Sequence, residues 1–200
     1  MRIHANKIEQ SYATRVARDP LFRRPYADRV ICAVLLVLPL VVAACAAKGP
    51  SPEKWAGDVC AAMTPWRASI ENLTSQAQQA VTATSTAAQT KDAIVHLLAG
   101  AEQASEAARQ KVAAAGIPDT DGGAEVAAQF AGSLTKARDA YAHARQSVQA
   151  LSTKNAKSFY DALTMVMNTL STEYADSAVD PTHLQSAALS RAFAEVPACR

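Results

Sequence analysis

The sequence predicts an all-α protein, an up-down helical bundle of four to five helices. After residue 51, alanine together with scattered Leu, Val, Gln, Lys and Glu gives high helix propensity. The 200 residues include only 9 prolines and 7 glycines, and those that lie in this region divide it into helical stretches. Within each stretch apolar residues recur at helical spacing, and no alternating strand pattern competes. A chain of this length has room for one compact domain.

The first predicted helix opens at Ser51 and Pro52, an N-cap residue followed by a first-turn proline. Pro65 interrupts it, so either the helix kinks there or a second helix begins with Thr64 as its cap. The apolar stripe keeps its phase across Pro65, which favours the kink. The residues of the stripe are Trp55, Val59, Ala62, Trp66, Ile70, Leu73, Ala77 and Ala80.

The second and third predicted helices should form an antiparallel hairpin. The second begins near Thr90 and ends at Gly116, a residue type favoured just after a helix. The third follows the short polar loop 119–123, and a short loop makes neighbouring helices antiparallel. The second helix places on one face Ile94, Leu97, Leu98, Ala101, Ser105, Ala108 and Val112. The third does so with Val126, Phe130, Leu134, Ala137, Tyr141, Ala144, Val148 and Leu151.

Two further helices complete the predicted bundle. The fourth begins at about Thr153, and a shorter fifth runs from Asp180 and Pro181 to Val196 and Pro197. Their apolar positions are Phe159, Leu163, Val166, Leu170 and Tyr174, then Leu184, Leu189 and Phe193. Many core positions are alanine, so the helix axes must approach closely. An elongated helical hairpin that dimerises is the alternative architecture.

The region before the helices has the pattern of an export signal. Residues 1–29 include three arginines close to an apolar run, Arg23, Arg24 and Arg29, and residues 30–47 carry no charge. A basic n-region followed by an apolar h-region, here 30–44, is typical of a signal peptide, so we predict one over residues 1–44. The adjacent arginines leave the twin-arginine route open beside the general secretory route.

The apolar run ends in Val42-Ala43-Ala44-Cys45, an aliphatic residue and two small ones before a cysteine. This motif resembles the lipobox of bacterial lipoproteins. The resemblance implies that the signal peptidase recognises Val42, Ala43 and Ala44, and that Cys45 becomes a diacylglyceryl-modified N-terminus. Residues 45–51 would then be a lipidated tether and 52–200 the helical domain. Together with the Ala-rich body, the motif resembles small helical lipoproteins of actinobacteria.

This resemblance implies a protein held on the extracytoplasmic face of the cell membrane by its lipid. One acyl chain holds a protein only marginally, whereas two or more hold it stably. The alternative is an uncleaved signal anchor, because the 18 uncharged residues 30–47 are near the minimum for spanning a bilayer. Pro39 within the run favours cleavage. In both cases the positive-inside rule places the helical domain outside the cell.

Four cysteines are present, and two of them are assigned by the leader. Cys32 lies in the h-region, and Cys45 is reserved for lipid. Cys60 and Cys199 remain as an even pair in an oxidising compartment, so we predict a disulfide between them. A loop of about 140 residues corresponds to a stabilisation on the order of 4 to 5 kcal/mol in the chain-entropy model. Two free thiols are the alternative, and neither cysteine has the nearby histidine that a metal site needs.

Charge and motifs exclude several classes of function. The formal net charge is +2, but residues 1–44 hold 7 basic and 3 acidic side chains, so the remainder is near neutral at −2. Without a basic stripe, nucleic-acid binding is not expected. No Gly-x-Ser-x-Gly elbow or phosphate-binding glycine loop is present, so we expect neither an enzyme nor a cofactor.

Several residues have a functional interpretation and a simpler structural one. Asp92 with His96, and Asp139 with His143, repeat a spacing that could supply metal ligands, but helical phase turns all four away from the apolar faces, which predicts surface pairs and no metal. Other sets are similarly ambiguous. We interpret Trp55 and Trp66 as core residues, Met165 and Met167 as core or edge residues, and residues 82–90 as a solvated helix end with O-glycosylation as the alternative.

The sequence therefore predicts a non-catalytic binding or scaffold protein of the cell envelope. Its expected partners are the membrane, through the lipid anchor, and an envelope protein or a lipid. The alternative is a carrier of a lipid or another apolar ligand between its helices, which requires a cavity in the bundle.

Overall fold

The computed structural model describes residues 48–177 and 184–200, and within them the predicted all-α fold is confirmed. The helices are α1 (Pro52–Ala80), α2 (Ala87–Ala114), α3 (Gly123–Ala150), α4 (Ala156–Ala175) and α5 (Ala187–Glu195). A 3₁₀ turn, Pro197–Cys199, follows α5. Among the helices of these two ranges, none is both long and apolar enough to cross a membrane. The predicted signal peptide, with Val42, Ala43 and Ala44, and the predicted lipidation site Cys45 lie outside the described residues.

Helix α1 is capped as predicted and runs through Pro65 without ending. The Ser51 hydroxyl accepts a hydrogen bond of 3.2 Å from the backbone N–H of Lys54. Proline removes one backbone donor, but the apolar stripe keeps its phase across Pro65 and stays buried or half-buried as far as Ala77, which keeps the helix in one piece, whereas Ala80 is exposed. The buried residues of α1 are Trp55, Ala56, Val59, Ala62 and Ala77. A separate helix capped by Thr64 is therefore not formed.

The predicted starts of α2 and α4 were wrong by about three residues because local capping was overlooked. Helix α2 begins at Ala87 and not near Thr90, since Thr86 and Gln89 form a capping box in which each side chain accepts from the other's backbone N–H. Helix α4 begins after Asn155, whose side chain caps it. Helix α5 begins at Ala187, and the predicted start at Asp180 and Pro181 lies outside the described residues.

Helices α2 and α3 form the predicted antiparallel hairpin at the centre of the fold. Early residues of α2 pair with late residues of α3: Lys91 donates to the carbonyl oxygens of Gln149 and Leu151, at 2.7 and 2.8 Å. Further along, an ion pair of 2.9 Å joins Glu102 to Arg145. The connecting loop uses two glycines of positive φ, Gly116 at 77° and Gly122 at 71°, a conformation that favours glycine.

Among the charged side chains of this hairpin, Glu106 makes the most hydrogen bonds. Its carboxylate accepts from Arg109 and Gln110 on α2 and from Arg138 on α3, at 2.7 to 2.9 Å. These hydrogen bonds, that of Arg109 first, hold the pKa of Glu106 far below its ordinary value. Glu106 therefore stays ionised and ties the two helices together on their partly exposed side.

The apolar core has two clusters, one towards each end of the bundle. The first joins the start of α1, the end of α2, the start of α3 and α5, through Trp55, Val59, Ala62, Ala108, Val112, Val126, Phe130, Leu134 and Leu189. The second joins α2, the end of α3 and α4, through Leu98, Ala101, Ala140, Tyr141, Ala144, Val148 and Leu170. Helix α1 packs on α2 and α5, whereas α4 packs mainly on α3. The central hairpin is thus flanked by α1 on one side and by α4 on the other.

Candidate functional site

The predicted disulfide is confirmed: Cys60 on α1 is bonded to Cys199 in the C-terminal 3₁₀ turn. The bond joins residues 139 positions apart in the sequence. It holds the C-terminal turn against the second and third turns of α1, and so fixes the position of the short helix α5 that precedes the turn.

A cleft of about 390 Å³ lies beside this bond, and we call it the disulfide cleft. Residues of α1, α3, the end of α4, α5 and the C-terminal turn line it. Its apolar lining consists of Val59, Met63, Trp66, Phe130, Leu134, Ala137, Tyr174, Phe193 and Ala198. Small-molecule sites usually measure about 300 to 1,000 Å³, so the cleft is large enough for one small ligand.

Aromatic packing makes the wall of the cleft rigid. The rings of Phe130 and Phe193 are stacked with their centroids 5.3 Å apart. Trp55, fully buried behind them, meets both rings edge to face, at 5.6 and 6.0 Å. Such aromatic pairs contribute beyond their buried area, so this part of the cleft is preformed.

Trp66 faces the cleft with its ring while its polar atom is satisfied in the interior. The indole N–H donates to the hydroxyl of Ser105 at 3.0 Å, and that hydroxyl donates to the carbonyl of Ala101 at 2.8 Å. Ser105 is fully buried on α2. The sequence placed Ser105 on an apolar face, and only the contact with Trp66 explains a hydroxyl at that position.

The polar lining of the cleft is basic. It comprises Thr64, Arg67, Ser133, Ser177 and Arg200, with no acidic side chain among the described lining residues. Arg67 is exposed, and none of the ion pairs within 48–177 and 184–200 includes it. The Arg200 guanidinium donates to the carbonyl oxygens of Ala194 and Glu195 at the end of α5. Sequence reasoning missed Arg67, since nothing in the local sequence separates it from other surface arginines.

The repeated Asp and His spacing does not form a site. Asp92, His96, Asp139 and His143 are all exposed, which confirms their predicted surface position. His143 Nδ1 lies 2.9 Å from a carboxylate oxygen of Glu173, so this pair links α3 to α4. In the part of the chain that the structure describes, no three His, Cys, Asp or Glu side chains are grouped as metal ligands.

The remaining candidates divide between core and surface. Trp55 is in the core as predicted, and Met167 packs against the second cluster, whereas Met165 is 71% exposed. Within residues 82–90, Thr86 caps α2 and Thr90 is buried, with its hydroxyl 3.2 Å from that of Tyr160. The end of this run therefore belongs to a helix, while Thr82 and Thr84 are exposed in the connecting loop.

The residues just before α1 are fixed to the end of the bundle. The carbonyl of Pro50 accepts from the backbone N–H of Asp119 at 2.9 Å. A Cβ at Gly49 would collide with the carbonyl oxygen of Ile117, so this close approach requires glycine. The last residues of the predicted tether are thus packed on the loop between α2 and α3.

Comparison with protein-family models, with curated proteins and with solved structures found no match.

Proposed function

We propose that this chain is a lipoprotein, anchored through Cys45 on the extracytoplasmic face of the cell membrane, that binds a ligand or partner without converting it. The disulfide cleft is the observation that carries the binding part of this proposal. Its described lining consists of ring faces, aliphatic groups, hydroxyls and two guanidinium groups, together with the disulfide. Such a surface is suited to recognition, and acid–base chemistry needs groups of a different kind.

The way the predicted tether packs on the bundle supports a position of the helical domain close to the bilayer. Pro50 is five positions after Cys45, and a fully extended chain spans at most about 3.3 to 3.6 Å per residue. Because Pro50 is hydrogen-bonded to Asp119, the loop between α2 and α3 would be held near the membrane surface. Ile117 in this loop is 59% exposed, and lipid contact would remove its apolar side chain from water.

The cleft would then lie within reach of the bilayer. Its α1 residues, Val59 to Arg67, follow the start of the helix by seven to fifteen positions. At a rise of about 1.5 Å per residue, these positions are roughly 10 to 22 Å along the helix axis. This proximity and the apolar lining favour a second, narrower function, the carriage of a lipid or other apolar ligand.

The anchor is tested by replacing Cys45 with alanine. We expect Cys45→Ala to reduce incorporation of labelled fatty acid to background and to leave residues 1–44 attached, because the modified thiol and its cleavage site are lost. Intact-protein mass and acyl labelling measure both effects. The matched control is Cys32→Ala, which changes the other leader cysteine and should leave both readouts unchanged. An unmodified Cys45 thiol in the native protein would refute the anchor.

The binding site is tested by photo-crosslinking in cells. A benzophenone amino acid in place of Ala198, which is exposed and lines the cleft, should form an adduct with an envelope molecule. The same group in place of Ala194, which is exposed outside the lining, is the control and should not form that adduct. Mass analysis of the crosslinked peptides identifies the adduct. No adduct at 198, or identical adducts at both positions, would argue against binding at the cleft.

A further inference from the structure

We infer that the disulfide cleft binds a single-chain anionic amphiphile, with its hydrocarbon chain against the Phe130, Phe193 and Trp66 rings and its carboxylate or phosphate head at Arg67. The inference deepens the proposed function, because it rests on the cleft being the binding site and specifies the class of ligand. Three observations support it: the apolar wall, the hydrogen bonds that already engage the hydroxyl groups of the lining, and the positive charge of Arg67 at the rim of the cleft.

The apolar wall accounts for the hydrocarbon chain. Phe130 and Phe193 stack on each other, and the indole N–H of Trp66 is bonded to Ser105. The rings therefore face the cleft with apolar surface, and ordering them costs a ligand little because they are already held. Burying apolar area contributes roughly 25 cal/mol per Å². The volume of about 390 Å³ is at the low end of the range for small-molecule sites, which favours one chain over two.

The hydroxyl groups of the lining are already engaged within the protein. Thr64 donates to the carbonyl of Cys60 at 3.0 Å, and Ser177 donates to that of Tyr174 at 2.6 Å. The Ser133 hydroxyl donates to the carbonyl of Ser177. A ligand rich in polar groups, such as a sugar or a peptide, would find few unused donors here. A ligand with one polar end fits this distribution better.

The charge of the rim accounts for an anionic head. Arg67 forms no ion pair with the described acidic side chains, and no Asp or Glu side chain is among the described lining residues. A guanidinium group offers two parallel N–H donors that match a carboxylate or a phosphate. The Arg200 guanidinium also lines the cleft, but its N–H groups are partly used by the carbonyl oxygens at the end of α5, so Arg67 is the main contact for the head.

The test uses the intact lipoprotein in phosphatidylcholine nanodiscs and a pair of photo-reactive probes. The probes are a twelve-carbon diazirine carboxylic acid and the matching alcohol, and peptide mass spectrometry locates the labelled residues. We expect the carboxylate to label cleft peptides, those that contain Met63 or Phe193, and the alcohol to label them several-fold less. A third probe with a phosphate head distinguishes a lysophospholipid-like ligand from a fatty acid.

Two sets of variants test separately the contact between Arg67 and the head group and the occupancy of the cleft by the hydrocarbon chain. Arg67→Gln should reduce labelling by the carboxylate about three- to tenfold, the range expected for a charge-assisted contact at an exposed site. Arg191→Gln, which changes an exposed arginine outside the lining, is the matched control and should have no effect. Ala198→Phe should block labelling by both probes, because it fills the rim, whereas Ala194→Phe should not.

Equal labelling by the acid and the alcohol would contradict an anionic head group at Arg67. So would labelling of Arg67→Gln by the carboxylate probe at the wild-type level. Absence of cleft labelling by every probe would overturn the amphiphile altogether. Neither result affects acylation of Cys45 or an adduct formed at position 198. An adduct at 198 with a protein, together with no probe labelling, would therefore refute this inference while supporting the proposed function.

Discussion

Replacing both Cys60 and Cys199 with serine lowers the free energy of unfolding by about 2 to 5 kcal/mol, the range for loss of a native disulfide in a small domain. The bond closes a loop of 139 residues and thereby restricts the unfolded chain. Its loss also releases the C-terminal turn from α1. Chemical denaturation of the protein, followed by circular dichroism, measures the change.

The helix that first loses protection from hydrogen exchange provides a more specific test of the disulfide. Helix α5 has only nine residues, too few to be stable alone in water, so it depends on the disulfide and on packing of Leu189 and Ala192. Hydrogen exchange in the double variant should therefore increase in α5 before it increases in the hairpin of α2 and α3. Reduction of the wild type should reproduce the effect. Unchanged protection of α5 would mean that packing alone holds it.

Replacing Trp55 with alanine destabilises the protein by about 3 to 5 kcal/mol, the usual cost of truncating a buried tryptophan. The side chain is fully buried and meets Phe130 and Phe193 edge to face. Its indole N–H donates to the carbonyl of Gly116 at 2.9 Å, which links α1 to the loop after α2. Truncation leaves a cavity at the point where α1, α3 and α5 meet.

Two further variants serve as comparisons for the loss of stability in Trp55→Ala. Trp55→Phe keeps most of the apolar contact but removes the donor to Gly116, so it should be less damaging than alanine and still destabilising. Met165→Ala is the surface control, since Met165 is 71% exposed and should change stability by less than about 0.5 kcal/mol. A loss at Trp55→Ala no larger than at Met165→Ala would contradict the role of Trp55 in the first cluster.

These two features explain how the fold supports the cleft. Trp55 buttresses the Phe130 and Phe193 rings from behind, and the disulfide holds the C-terminal turn at the other wall. Variants at either position should therefore weaken the proposed ligand binding at the disulfide cleft even where the helices remain formed. Arg67→Gln, by contrast, should leave stability unchanged.

Local chemistry in the sequence determined the helices themselves. Apolar spacing identified all five, and Ser51 and Pro52 fixed the start of α1. The errors in the starts of α2 and α4 arose from capping signals that were present but overlooked, such as Thr86 with Gln89. The pairing of Cys60 with Cys199 was also predicted from the sequence, because the predicted signal peptide and lipidation site left these two of the four cysteines.

Tertiary structure alone decided where the helices leave a cleft and which side chains line it. Trp66 and Arg67 are neighbours on α1, yet Trp66 is hydrogen-bonded to Ser105 of α2, whereas Arg67 is exposed and lines the cleft together with residues of α3 and the end of α4. Helical hydrogen bonds and caps join residues three or four positions apart, so sequence patterns reveal them. The cleft depends on contacts between residues 39 or more positions apart, and those are set by the packing of whole helix faces against each other.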